Sequence, residues 1–283
     1  MKLLDLFSGI GGFSLGLERA GFKTVAFCEV DPFPRRVLAR HWPDVPCYDD
    51  VTTLTAARLS ADGVGRIDAI CGGFPCQDIS VAGSGLGLDG ERSGLWRKYA
   101  RLIREVRPRV VFVENVSALL GRGMGEVVGD LASVGYDVVW NCIQAANVGA
   151  PHRRDRVWIV AIHPDADRRR CELERGEGRS DVQGASGRES DRLGTRGHQH
   201  GPAEDAADVD SIRLAQCLRL QRSIARASAE SSAPWHWTAE PPFRRVDDGV
   251  RKRVERARLK ALGNAVVPQI PEILGRAVME VFA

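Results

Sequence analysis

The start of the chain restricts its fold more than any other stretch. A short apolar run from Leu3 to Phe7 leads into the glycine turn Ser8-Gly9-Ile10-Gly11-Gly12; a helical pattern follows from Phe13 to Ala20, and a second apolar run from Thr24 to Val30. On the predicted helix Phe13, Gly16, Leu17 and Ala20 fall at i, i+3, i+4 and i+7, one face suited to covering a sheet. Strand, turn, helix and strand in that order are the rhythm of a doubly wound α/β fold, whose parallel sheet carries helices on both faces. Further strands are predicted at Ile67 to Cys71, Val110 to Glu114, Tyr136 to Ile143 and Arg156 to Ile162, with a helix from Leu95 to Val106.

After His163 the pattern stops. No aromatic residue lies between Trp158 and Trp235, and residues 163 to about 233 are rich in Arg, Gly, Asp, Glu and Ser. Too few apolar side chains are present there to offset the entropy of ordering, so much of this segment is expected to be loop or disordered. Order is expected to return at Trp235-His236-Trp237. Near the end Ile270, Ile273, Leu274, Ala277, Val278 and Val281 recur at helical spacing, which predicts an amphipathic helix that buries one face against the first part of the chain.

Composition excludes some classes and leaves others open. The 283 residues suffice for one large domain or two modest ones. The net charge is only +3, yet 35 of the 40 basic residues are arginine. Arginine suits phosphate and guanine edges, and a GC-rich genome produces the same excess. The seven cysteines are scattered, with no C-x-x-C pair, which argues against a disulfide framework or a zinc knuckle and for a reducing compartment. An N-terminus that enters a strand directly, and the lack of any long apolar run, point to a cytoplasmic protein without a signal peptide or membrane span.

Two places hold candidate chemistry. The glycine turn lets the backbone come close to a ligand at the carboxyl edge of the sheet, and Glu29, seventeen residues after Gly12, stands where such folds present a carboxylate to ribose hydroxyls. The spacing is not G-x-G-x-x-G and the turn holds no basic residue, so a pyrophosphate is disfavoured and a nucleoside without phosphates, such as S-adenosylmethionine, fits better. The turn alone also fits a purely structural reading. The second place is Gly72-Gly73-Phe74-Pro75-Cys76-Gln77, which puts a cysteine in a rigid turn directly after an apolar run. Cys76 reads as a nucleophile at a strand end or as a small buried hydrophobe.

Taken together, Asp5-Leu6-Phe7-Ser8-Gly9-Ile10-Gly11-Gly12, Gly73-Phe74-Pro75-Cys76-Gln77, Glu114-Asn115-Val116 and Gly263-Asn264-Ala265-Val266-Val267-Pro268 resemble, in order and identity, the motifs of the bacterial and phage DNA (cytosine-5)-methyltransferases. The resemblance covers residues 1 to 162 and about 240 to 283. It implies a Rossmann-like S-adenosylmethionine-dependent sheet at 1–162, a small, loop-rich target-recognition region at 163–239, and a segment at 240–283 that returns to the catalytic domain.

Carried over by position, the resemblance implies that Phe7 lies against the adenine, Gly9 and Gly11 line the methionine part, Glu29 holds the ribose and Asp50 contacts the adenine amino group. Ser8, Gly12, Val30, Val51, Pro75, Leu95, Asn264 and Val266 complete the implied cofactor site; Leu95 also reads simply as the start of a helix core. Cys76 would attack carbon 6 of a flipped-out cytosine while Glu114 serves ring nitrogen 3. Asn115 is expected to hold the turn after Glu114. Arg154 and Arg156, in His152-Arg153-Arg154-Asp155-Arg156, match the family's Gln-x-Arg-x-Arg segment and would face the base and the cysteine; His152 departs from the usual glutamine. Residues 77 to 94, with Gly83, Gly85, Gly87 and Gly90, would close over the base. The implied partner is duplex DNA, bound by a monomer acting beside a separate cognate restriction endonuclease. A tRNA cytosine-5 methyltransferase and a catalytically silent DNA-binding relative are the competing readings.

Overall fold

A computed structural model describes residues 1–75, 94–163, 218–225 and 252–282. Seven strands form one sheet: β1 (Lys2–Leu6), β2 (Lys23–Cys28), β3 (Cys47–Tyr48), β4 (Ala69–Gly72), β5 (Val110–Val116), β6 (Asp137–Gln144) and β7 (Asp155–Ile162). Their spatial order is β3-β2-β1-β4-β5-β7-β6. β7 runs antiparallel to both of its neighbours, and the other recorded pairings are parallel. The helices around it include α1 (Gly12–Arg19), α2 (Pro32–His41), α3 (Ala56–Ala61), α4 (Leu95–Val106), α5 (Leu119–Arg122), α6 (Met124–Ser133), α7 (Lys252–Asn264) and α8 (Gln269–Phe282).

Strand ends differ from the sequence expectation by one to a few residues, for local reasons. β1 stops at Leu6 because Phe7 turns to φ 52 and breaks the extended backbone. β2 stops at Cys28 as the chain turns into α2, whose first turn is capped by the Asp31 carboxylate accepting the Phe33 N–H at 3.0 Å, with proline at the first helical position.

Both faces of the sheet are covered. On one, Leu4, Leu6, Ile70, Val111 and Val113 pack with Trp96, Tyr99, Leu102 and Ile103 of α4 and with Val127 and Leu131 of α6. On the other, Leu3, Cys71, Phe112 and Val160 meet Phe13 and Leu17 of α1 and Ile270, Leu274 and Val278 of α8. Each such side chain contributes on the order of 1.5–3 kcal/mol by leaving water. This anchors α8, and with it the end of the chain, to the N-terminal sheet.

Within 163–233, much of which is expected from sequence to be loop or disordered, the structure describes a short helix. Residues 218–225 are helical, and Leu220 and Ile224, four apart on one face, are buried in the same cluster as Trp158 and Leu274. Two well-placed apolar residues suffice to dock a short helix even in a stretch of polar composition. The rest of that segment, and Trp235-His236-Trp237, lie outside the described residues.

The topology fixes where a ligand can sit. From β1 the chain moves outward through β2 and β3, then returns to the other side of β1 for β4 and β5. The loops after β1 and β4 therefore leave in opposite directions and open a crevice at the carboxyl ends of these strands. Those are the loops carrying the glycine turn and Gly73-Phe74-Pro75.

Candidate active site

A cleft of about 640 Å³ occupies this crevice, within the roughly 300–1,000 Å³ of small-molecule sites. Its first wall is the turn after β1. Asp5 is fully buried beneath it and accepts a hydrogen bond from Ser14 Oγ at 2.7 Å, while burial pushes its carboxyl up to about 7. Ser8 Oγ donates to the Asp5 carbonyl at 2.7 Å and in turn accepts the Cys28 N–H at 3.2 Å, which ties the turn to β2.

Glu29 is held by backbone: Gly9 N–H donates to Oε2 and Asp31 N–H to Oε1, both at 2.8 Å. This orientation leaves the carboxylate on the cleft wall with acceptor capacity for further donors. The same contact consumes the Gly9 amide, and Gly11 N–H donates to the Ser8 carbonyl at 2.9 Å. A phosphate cradle needs such amides free. Beside Glu29, Val30 is 77% exposed, an apolar side chain at the cleft with no core to fill.

The second wall is the acid end. Glu114, at the carboxyl end of β5, is buried, and its Oε1 lies 3.1 Å from Arg156 Nε. The pair is diagonal across the antiparallel strands, since Glu114 faces Trp158 and Val116 faces Arg156. Burial raises the Glu114 pKa above the usual carboxylate range, and the cations of Arg156 and Arg154 oppose this only in part. Gly73 makes room for the acid: a Cβ there would stand 2.7 Å from Glu114 Oε2. Asn115 donates from Nδ2 to the Phe74 carbonyl at 3.1 Å and accepts the Val116 N–H at 2.9 Å. It thus holds the turn before Cys76 as well as its own.

Arg154 donates from Nη1 to the Gly263 carbonyl at 2.6 Å, joining the β6–β7 connection to the end of α7. Phe7 and Arg154 are two of the three described non-glycine residues with positive φ, at 52° and 36°, and both line the cleft. Such conformations cost about 1–3 kcal/mol each and gather at functional sites.

The sequence candidates therefore divide. Phe7, Gly9, Glu29, Val30, Pro75, Leu95, Glu114, Arg154, Arg156 and Asn264 line this one cleft. Cys76 and the loop through Ser93 lie outside the described residues, directly after Pro75. Six candidates do not line it. Ser8 is spent inside the turn. Gly11 and Gly12, with Val266, border a neighbouring groove that also takes in His152: Gly11 lies against the Trp42 ring and Gly12 against the Val266 carbonyl. Val51 is core, and the Asp50 carboxylate accepts the Thr52 Oγ1 and N–H, both at 2.7 Å. These bonds, the side-chain one foremost, keep Asp50 below the usual carboxylate range.

Asp31 and Lys260 line the cleft without having been singled out from sequence. Asp31 followed by proline was legible as a helix cap. Lys260 carried no signal, because nothing local shows that α7 reaches the Glu29–Asp31 side of the cleft.

The model of the family described as C-5 cytosine-specific DNA methylase matches residues 1–196. Type II methyltransferase M2.BsuMI of Bacillus subtilis is 38% identical over 169 residues, 57% of this chain and 42% of that protein. Type II methyltransferase M.AquIA of Picosynechococcus is 34% identical over 175 residues, 56% of this chain and 71% of that protein. The aligned part spans about two fifths of the length of several other relatives, M.PspPI of Psychrobacter among them at 40%. In fold, the chain is similar along 100% of its length to a solved structure described as a prophage-encoded DNA modification methyltransferase (E. coli), 99% of which is covered, with a TM-score of 0.58 at 17% identity. With its family model covering most of the chain, the protein belongs to the C-5 cytosine-specific DNA methylases.

Proposed function

We propose that the protein methylates carbon 5 of cytosine in a specific duplex DNA sequence, with S-adenosylmethionine as methyl donor. The observation that carries this reading is Glu114: a buried acid with a raised pKa, on the cleft wall, against the glycine of the turn that leads to Cys76.

The cofactor end fits a nucleoside without phosphates. Glu29 presents a fixed acceptor for ribose hydroxyls, Val30 and Phe7 offer apolar surface for a purine, and the Ser8, Gly9 and Gly11 amides of the turn are engaged with protein rather than open to phosphate. When bound, S-adenosylmethionine supplies an electrophilic methyl group on a sulfonium.

Carbon 5 of cytosine is too weak a nucleophile to accept that methyl unaided. Cys76 thiolate adds to carbon 6, Glu114 gives its proton to ring nitrogen 3, and the resulting enamine is nucleophilic at carbon 5. After methylation a base removes the carbon 5 proton, the Cys76–carbon 6 bond breaks with departure of the thiolate, and the nitrogen 3 proton returns to Glu114. Arg156 orients Glu114, and the two arginines favour the thiolate electrostatically.

A stacked cytosine is out of reach, so the base must be rotated into the cleft. We assign target recognition to residues 163–239, whose arginines suit phosphate and guanine contacts. Replacing that span by the matching region of a relative of known specificity should redirect methylation to the relative's site; a hybrid still marking the original sequence overturns this assignment. The protein is read as a cytoplasmic monomer, the modification half of a restriction-modification system with a separate nuclease. Among the described residues no helix is long and apolar enough to cross a membrane.

Base-resolution methylation sequencing of DNA from expressing cells tests the whole reading: one recurrent motif carrying 5-methylcytosine is expected, and unmodified DNA despite soluble expression counts against it. For the cofactor end, Glu29→Ala is expected to weaken S-adenosylmethionine binding by about 1.5–3 kcal/mol, the size of hydrogen bonds to a charged acceptor. Isothermal titration checks it, and an unchanged affinity means the ribose lies elsewhere.

A further inference from the structure

We propose that Lys260 is a positioning residue which, through its ion pair with Asp31, closes the cofactor end of the cleft and slows cofactor release. This rests on reading the cleft as the S-adenosylmethionine site. Lys260 Nζ lies 3.0 Å from Asp31 Oδ2, joining residues 229 positions apart in sequence. Asp31 is a firm post: its Oδ1 caps α2 through the Phe33 N–H, and its own N–H holds Glu29. The ion pair therefore stands one hydrogen bond from the carboxylate assigned to the ribose.

The last turn of α7 crosses the cleft between two attachments. Lys260 meets α2 at the cofactor side, and the Gly263 carbonyl accepts the Arg154 hydrogen bond at the acid side. Lys260, Ala261, Gly263 and Asn264 all line the cleft. A ligand entering or leaving beside Val30 and Asp31 passes the ion pair. The Lys260 side chain is 65% exposed and that of Asp31 32%, so water and salt screen the attraction. A contact of that strength opens readily, which makes it a latch that cofactor exchange can break.

The test uses the full chain without DNA, following S-adenosylmethionine release by stopped-flow displacement with S-adenosylhomocysteine at low and high KCl. Wild-type release is expected to quicken with salt. Lys260→Met should release about three- to fivefold faster at low salt and lose the salt response. Lys260→Arg should restore wild-type behaviour. Asp31→Asn, which keeps the helix cap, should match Lys260→Met, with no further gain in the double variant. Wild-type release rates and salt response in Lys260→Met, or no rescue by arginine, overturn the latch. Failure of the wild type itself to bind S-adenosylmethionine in equilibrium titration overturns the cofactor reading instead, a separate and recognisable result.

Discussion

Cys76→Ala is expected to abolish methyl transfer while leaving cofactor affinity within a few fold, and a duplex carrying 5-fluorocytosine at the target is expected to trap the wild-type protein but not the variant. The reason is the division of labour in the cleft. Glu29, Val30 and Phe7 line the end of the cleft proposed for the cofactor, and none of them depends on the thiol. The cysteine follows Pro75, whose ring fixes φ, and Phe74, whose carbonyl is held by Asn115 at 3.1 Å. The turn up to Pro75 is thus anchored. Fluorine at carbon 5 cannot leave as a proton does, so the adduct at carbon 6 persists after methylation and resolves as a shifted band under denaturing electrophoresis. A trapped Cys76→Ala protein would remove Cys76 from the mechanism, whatever the activity of the variant.

Glu114→Gln is expected to lower the single-turnover rate of methyl transfer by about 10²–10⁴, the usual worth of a positioned proton donor. Glutamine preserves shape but has no acidic proton to give. The pH dependence follows from the direction of the shift. Burial raises the Glu114 pKa, so the protonated form persists above the ordinary carboxylate range and is lost as pH rises through that elevated value. Activity should therefore fall on the alkaline side in the wild type. Arg156 opposes the shift, so Arg156→Met moves the alkaline limb to higher pH, and Glu114→Gln eliminates it. Stability carries the same sign: a carboxyl whose folded pKa is raised favours the fold below its unfolded pKa, and that contribution disappears as pH climbs through the folded value. A Glu114→Gln rate within a few fold of wild type, with the alkaline limb intact, refutes the assignment.

Much of the sheet was legible because apolar runs bounded by glycine, and helix faces at i, i+3 and i+4, are local properties of the chain. The helix from Leu95 to Val106 was bounded correctly: its apolar face repeats cleanly and Arg107 ends it in a left-handed turn. The short helix at 218–225 was missed, because two buried residues in a polar stretch leave no periodic signal. The division among candidate residues has the same origin. Glycine spacing cannot tell a residue that faces a ligand from one that lets another strand of backbone pass, and Gly12, pressed against the Val266 carbonyl, is of the second kind.

What the sequence determined by itself was the chemistry available: a thiol after proline, an acid at the end of an apolar strand, a carboxylate after a glycine turn, and a family order for all of them. Only the tertiary structure decided which of these act on one volume of space. Strand order places the loops after β1 and β4 at the switch point, and the antiparallel β7 sets Arg156 diagonally against Glu114. The crossing of α7 brings Lys260 to Asp31 from the far end of the chain. Each depends on contacts between residues tens to hundreds of positions apart, where geometry comes from packing the whole sheet and no local pattern records it.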